Sequence, residues 1–320
     1  MKWAIWAVVL VCGGSAALAW TDEGHEAIGA MADQLLAGTR AAAQVRGLLG
    51  NESLATASIW ADSVKYRTNQ WPEAIRFRVA NPNHAAMHFT DIPFEEARYR
   101  DDSIGARPDD VVHAIDACIL ILRGKPDAQS VFNEVNQKIA LRLLAHYVGD
   151  IHQPLHVGSG YLVGTKFIDP NGYGQGYEED RGGNELFFGT NRLHLYWDLN
   201  AVRQAMAKRG VATPQAFAAK LLTQPAPLAD ISPLLDWPRD WASESLALSS
   251  KAHDVRILEE KRRGQPLHWQ DAIAVADSKS FAGIHRVVHR HGGIANQEGG
   301  IPAGASIGGG VAGHRMSLSR

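Results

Sequence analysis

Apolar residues recur at spacings of three and four over about 24–37, 40–49, 53–66, 108–123, 130–150, 191–209, 214–222 and 240–259. That repeat lays one apolar stripe along a helix. Sustained alternation of the kind a half-buried strand needs is scarce. The pattern predicts an all-α chain with a single mainly helical domain, and 45% hydrophobic residues give it ample material for a core. The longest irregular stretch, about 157–183, holds Asp169-Pro170-Asn171-Gly172, a strong turn signal. It reads as a solvated loop, with a short hairpin or a lid over substrate as alternatives.

The two ends differ from this helical body. Residues 1–19 open on Met1-Lys2, run through an apolar stretch from Ala4 to Cys12 and finish Ala17-Leu18-Ala19 before Trp20. This is the pattern of a secretory signal peptide cleaved before Trp20. The expected product is periplasmic or secreted, with no membrane anchor and no obligate protein partner evident. Cys118 is then its only cysteine, so the monomer forms no internal disulfide. Residues 20–285 form the predicted domain, and the glycine-rich 286–320 is expected to be a disordered tail. The formal charge of the whole chain is −2, so composition advertises no basic surface.

The segment 139–156 carries the most chemistry. Ile139, Leu143, His146 and Asp150 fall at steps of four, three and four, which puts an imidazole and a carboxylate on the same stripe as aliphatic residues. Such groups need partners once buried, either each other or a cation. Pro154 stops the helix and His156 follows it. His194 and Asp198 repeat the one-turn spacing, which suits zinc, although for one such pair alone a surface ion pair is the commoner explanation. Asp62 lies on the stripe Ala55-Ile59-Asp62-Tyr66, and His25 shares a face with Ile28, Ala32 and Leu35. His88 sits in Met87-His88-Phe89-Thr90-Asp91, between helices. Each of these three alone also fits a hydrogen-bonded core residue.

Taken together, five segments resemble the S1/P1 nuclease family, zinc-dependent single-strand-specific nucleases that share the phospholipase C/P1 nuclease fold. They are Trp20 through His25, Ala57 through Asp62, His88-Phe89-Thr90-Asp91, His146 through His156, and Gly182-Gly183-Asn184 followed by His194 through Asp198. The resemblance implies three zinc ions. The first would be held by Asp62, His88, His146 and Asp150, the second by His156, His194 and Asp198, and the third by Trp20, His25 and Asp150. Trp20 would contribute its free amino group and carbonyl oxygen, which requires cleavage after Ala19.

The implied activity is endonucleolytic hydrolysis of single-stranded DNA and RNA to 5′-phosphate products, with 3′-nucleotides as further substrates. Three dications against the carboxylates of Asp62, Asp150 and Asp198 would leave the cleft positive, replacing a basic patch. Asp150 would bridge two zincs that activate a water. Phe89 is assigned to stacking on an unpaired base, with core packing as its alternative. By the same resemblance Asp91 would orient water or substrate and Asn184 would contact substrate. His152 matches no ligand position, and His84, His113, His253 and His268 read as structural or exposed. A zinc phospholipase C and a non-catalytic zinc-binding relative are the competing readings. After about residue 275 no closing helix is recognisable, and the histidine-rich run from His285 to His291 receives no role.

Overall fold

The computed structural model describes residues 22–164, 166–188, 191–223 and 232–253. The expected signal peptide, Trp20, His268 and the tail 286–320 lie outside these residues. The described part is mainly helical, as the periodicity predicts.

Five helices come first: α1 (Asp22–Leu36), α2 (Arg40–Leu49), α3 (Leu54–Ala57), α4 (Trp60–Lys65) and α5 (Pro72–Ala80). A 3₁₀ turn, His84–His88, leads to the short strand β1 (Ile92–Pro93). The long pair α6 (Val111–Leu122) and α7 (Gln137–Ile151) follows, then a 3₁₀ turn at Pro154–His156. Beyond it lie β2 (Gly158–Ser159), β3 (Tyr161–Val163), β4 (Lys166–Phe167), α8 (Pro170–Tyr173), β5 (Glu178–Glu179), β6 (Phe187–Phe188) and β7 (Asn191–Arg192). The described elements close with α9 (Leu193–Leu195), a π-helical segment Tyr196–Ala201, α10 (Val202–Lys208), α11 (Pro214–Leu221) and α12 (Trp237–Ala252).

Helix α7 is the axis of the core. Its apolar face buries Leu143, Tyr147 and Ile151 against Ile115 of α6 and Trp241 and Leu246 of α12. Each such side chain contributes roughly 1.5–3 kcal/mol by leaving water. Both long helices start on side-chain caps, Asp110 accepting from the Val112 and His113 amides and Asn136 from the Ile139 amide. The Asn136 cap explains why α7 begins later than its apolar periodicity suggests.

Two predicted helices are interrupted, and both breaks serve the site. The stretch 53–66 divides into α3 and α4 at Ser58, whose hydroxyl donates to the carbonyls of His25 and Ala55, each at 2.8 Å. The stretch 191–209 begins as a strand and passes through the π-helical segment that carries Asp198. Helix α5 was not foreseen. The stretch 157–183 is no plain solvated loop either: β2 pairs in parallel with β1, and β3 is the centre of a three-stranded antiparallel sheet ordered β4-β3-β5. Its two ends, Gly158–Tyr161 and Asp180–Gly183 apart from Arg181, are buried, and only the middle is exposed.

Candidate metal centre

Seven elements deliver eight side chains to one buried place. His25 comes from α1, Asp62 from α4, His88 from the first 3₁₀ turn, His146 and Asp150 from α7, His156 from the second 3₁₀ turn, His194 from α9 and Asp198 from the π-helical segment. All eight are buried. Their donor atoms gather as three groups: His25, His146 and Asp150; Asp62, His88 and His146; and His156, His194 and Asp198.

Asp150 joins the first two groups. Its Oδ2 is 3.0 Å from both His88 Nδ1 and His146 Nε2, while Oδ1 lies 3.4 Å from His25 Nε2. His88 Nδ1 is 3.6 Å and His146 Nε2 is 3.7 Å from Asp62 Oδ1. In the third group His194 Nε2 stands 3.3 Å and His156 Nε2 3.8 Å from Asp198 oxygens. Four ligands at zinc–donor lengths of roughly 2.0–2.1 Å in a tetrahedron are about 3.3 Å apart, so these separations are compatible with ligands around shared cations.

The hydrogen bonds behind the rings point the same way. Nδ1–H of His146 donates to the Ser58 carbonyl at 2.6 Å, that of His156 to the His88 carbonyl at 2.8 Å, and that of His194 to the Gly182 carbonyl at 2.7 Å. A neutral ring so held turns a bare Nε2 lone pair inward, the tautomer a metal ligand needs. His25 Nε2, His156 Nε2, Asp62 Oδ1 and Asp150 Oδ1 are buried with no hydrogen-bond partner. Such atoms would be costly unless a cation compensates them, so the residues fit a metal cluster.

Electrostatics divides the cluster. Burial lowers the His25 pKa to about 3, keeping the ring neutral, and raises Asp62 to about 6 despite the nearby His146 and Lys65. At Asp150 burial acts upward too, but His146 and His156 outweigh it and hold the carboxylate well below its usual range. Burial likewise holds His88, His156 and His194 toward the neutral form, while Asp150 and Asp62 raise the His146 pKa against burial; neutral imidazoles and an ionised carboxylate are the forms that bind metal.

Behind the ligands lies a layer that sequence reasoning missed. Gln153 donates from Nε2 to Asp198 Oδ1 at 2.8 Å and accepts from the Leu155 amide at 2.6 Å. It stands inside the His152–His156 motif, where its place between ligands was the available signal. Asp180 Oδ1 accepts from the amides of Gly160 and Gly183, both at 3.0 Å, and so pins the turn whose Gly182 carbonyl orients His194. Gly182 has φ of +58°, and a Cβ there would stand 2.0 Å from the Leu155 carbonyl oxygen, so glycine alone fits.

The His156 and His194 side of the cluster opens onto a cleft of about 450 Å³ lined also by Lys65, Phe89, Asp91 and Asn184. Phe89 is half-buried on the cleft wall, not core, and its ring carries the Arg107 guanidinium at 4.9 Å. Asp91 accepts from Ser159 Oγ at 2.9 Å and lies 3.7 Å from Arg107; burial nevertheless raises its pKa. Asn184 donates from Nδ2 to the Arg181 carbonyl at 3.0 Å. Lys65 Nζ is 4.0 Å from Asp62 and adds positive charge at the cleft. His152 belongs to none of the three groups; its Nδ1 donates to the Val148 carbonyl at 2.8 Å. His84 and His113 are buried, His113 beside Asp110 at 2.9 Å, and His253 is buried beside Asp180.

Endonuclease 2 of Arabidopsis thaliana is 30% identical over 195 residues, 59% of this chain and 58% of the relative. Endonuclease 1 of the same plant is 25% identical over 265 residues, 76% of this chain and 77% of the relative. Nuclease S1 of Aspergillus oryzae is 27% identical over 210 residues, 64% and 62% of the two chains. The chain thus spans about three-fifths of the length of several curated relatives it matches. The S1/P1 Nuclease family model matches residues 20–276, and the chain belongs to that family.

Proposed function

We propose that the chain is a zinc-dependent endonuclease that hydrolyses phosphodiester bonds of single-stranded DNA and RNA to 5′-phosphate products, and also acts as a 3′-nucleotidase. The observation that carries this reading is Asp150, whose two oxygens serve two buried ligand groups beside a third group open to a cleft walled by Phe89.

Asp62, His88, His146 and Asp150 would hold one zinc, His156, His194 and Asp198 a second, and His25 and Asp150 a third together with Trp20. Trp20 precedes α1 by two residues and contributes backbone atoms once the segment 1–19 has been cleaved, in a periplasmic or secreted product. Bound there, zinc supplies positive charge for the phosphate and lowers the pKa of water toward neutrality.

This chain's own residues do the rest. Phe89 offers a stacking face that every base fits but only an unpaired one can reach, which selects single strands. Asp91, fixed by Ser159 and raised by burial, orients the attacking water and takes its proton. Asn184 and Lys65 face the same cleft, where an amide and an ammonium can bind substrate oxygens.

End-group analysis tests the reading. Zinc-loaded protein starting at Trp20 should release 5′-phosphate ends from single-stranded DNA and free phosphate from 3′-nucleotides. Turnover of phosphatidylcholine without nucleotide turnover would replace it with a phospholipase, and full zinc occupancy with neither activity would leave a binding protein.

A further inference from the structure

Lys65 and Tyr66 line the cleft, and so do Ala85 and Ala86. The chain between them leaves the cleft and returns to it, and the proposed chemistry uses none of that excursion. Helix α5 within it packs inward through Ala74 and Phe77, the Phe77 ring meeting Trp60 edge-on at 5.3 Å. Glu73 is anchored to Arg142 at 2.5 Å.

The opposite face is apolar and open. Trp71, Ile75 and Val79 are 72%, 41% and 79% exposed, and their spacing of four forms one stripe. They are three of the five large apolar side chains exposed among the described residues, so the exposure is concentrated and not scattered. Charge is concentrated too. Lys65, Arg67, Arg76 and Arg78 stand on this stretch with a single acid, Glu73, in a chain whose formal charge is −2. Arg67 and Arg76 are exposed.

Trp71 is also held in place. Arg67 adopts φ of 57°, uncommon for a residue with a side chain, in the turn that ends α4. The Ser63 carbonyl accepts from the Asn69 amide at 2.9 Å and the Thr68 hydroxyl at 3.1 Å. Asn69 accepts in turn from the Trp71 amide at 3.1 Å and, through its carbonyl, from Arg78 at 2.8 Å. The backbone that carries this exposed indole is braced before any ligand arrives, which lowers part of the entropic cost of binding.

We propose that this face is an accessory track for single-stranded nucleic acid, on which Trp71 stacks with a base outside the cleft while Arg67 and Arg76 contact the backbone. The inference rests on the nuclease reading above. Exposed aromatic surface with interleaved arginines suits a strand with accessible bases and charged phosphates, and both ends of the excursion meet the cleft that would hold the scissile bond. The enzyme then favours oligonucleotides long enough to reach Trp71 over 3′-mononucleotides.

The test compares zinc-loaded wild type with Trp71→Ala, Trp71→Phe and the double variant Arg67→Glu/Arg76→Glu. Binding of a short and a long nuclease-resistant phosphorothioate oligothymidylate is read by fluorescence anisotropy. Cleavage is read as the ratio of kcat/KM for a long oligonucleotide to that for a 3′-nucleotide. Trp71→Ala should weaken the long oligomer about tenfold and lower that ratio, and Trp71→Phe should restore most of it. The double variant should flatten the salt dependence by roughly 0.7 per lost phosphate contact. Long-oligomer binding unaltered in Trp71→Ala, or a loss confined to anionic lipid vesicles or to self-association, overturns the track and leaves the nuclease reading intact. A wild type that neither binds nor cuts nucleic acid defeats both.

Discussion

His253 Nε2 stands 3.0 Å from Asp180 Oδ2, with both side chains fully enclosed. The other ring nitrogen of His253 is 2.7 Å from the Ser249 carbonyl, so the ring is held between α12 and Asp180. Asp180 pins the Gly182–Gly183 turn that orients His194, and thus the end of α12 is tied to a proposed zinc ligand through two intermediaries. The link extends the site's support to the last described helix.

His253→Gln should therefore weaken zinc at the His156, His194 and Asp198 group by roughly 10–100-fold while the other two groups retain theirs. Chelator competition measures this. His253→Ala would leave Asp180 Oδ2 without the imidazole beside it, although Oδ1 keeps its two amide donors, and cost about 1–3 kcal/mol, visible in urea unfolding. Equal zinc affinity in His253→Gln and wild type would break the proposed connection.

Asp150→Asn should cost more than one metal. The native carboxylate reaches His25 through one oxygen and His88 and His146 through the other. An amide offers one oxygen and no charge, so elemental analysis should find about two of three zincs gone. Retention of all three would show that Asp150 is not the bridge.

Gly149 permits α7 to approach α1. A Cβ there would stand 2.9 Å from His25 Nδ1 and 2.9 Å from Ile28 Cδ1. Gly149→Ala should push His25 aside, lower zinc content by about one equivalent and destabilise the fold by about 1–3 kcal/mol. An alanine variant with unchanged zinc and unchanged urea midpoint would contradict that packing.

Glu179 gives a pH signature separate from the metals. Burial, the adjacent Asp91 and Asp180 push its pKa up to about 8 from 4.5, against the bond from Ser159; Tyr161 faces the same group. The folded state keeps a proton that the unfolded chain releases, so this contribution to stability is fullest below pH 4.5 and is lost as pH rises through about 8. Glu179→Gln should flatten the fall in urea midpoint over that range. A slope identical to wild type would remove Glu179 as its source.

Much of the site was legible because its ligands sit on helices whose apolar period is clear. His146 and Asp150 share the Leu143 stripe, and His25 shares that of Ile28, so inward-facing polar groups stood out. The second layer was not legible, since Gln153 reaches Asp198 across 45 residues, Asp180 reaches Gly160 across 20, and His253 meets Asp180 from the last described helix end, contacts that no local period encodes. Helix α5 escaped for a related reason: only Ala74 and Phe77 are buried on it, too few to give a periodic signal, while Trp71, Ile75 and Val79 put apolar residues on the solvent side. The breaks at Ser58 and in the π-helical segment arise from bonds and packing made only in the folded chain.

The most direct measurement is hydrolysis of single- and double-stranded DNA by protein starting at Trp20, before chelation, after it and after zinc is restored, with His146→Ala alongside. The account predicts cleavage of the single strand that disappears on chelation, returns with zinc and is absent from His146→Ala. A folded, zinc-loaded protein that leaves single-stranded DNA uncut, or one that cuts it equally well after chelation, would contradict it.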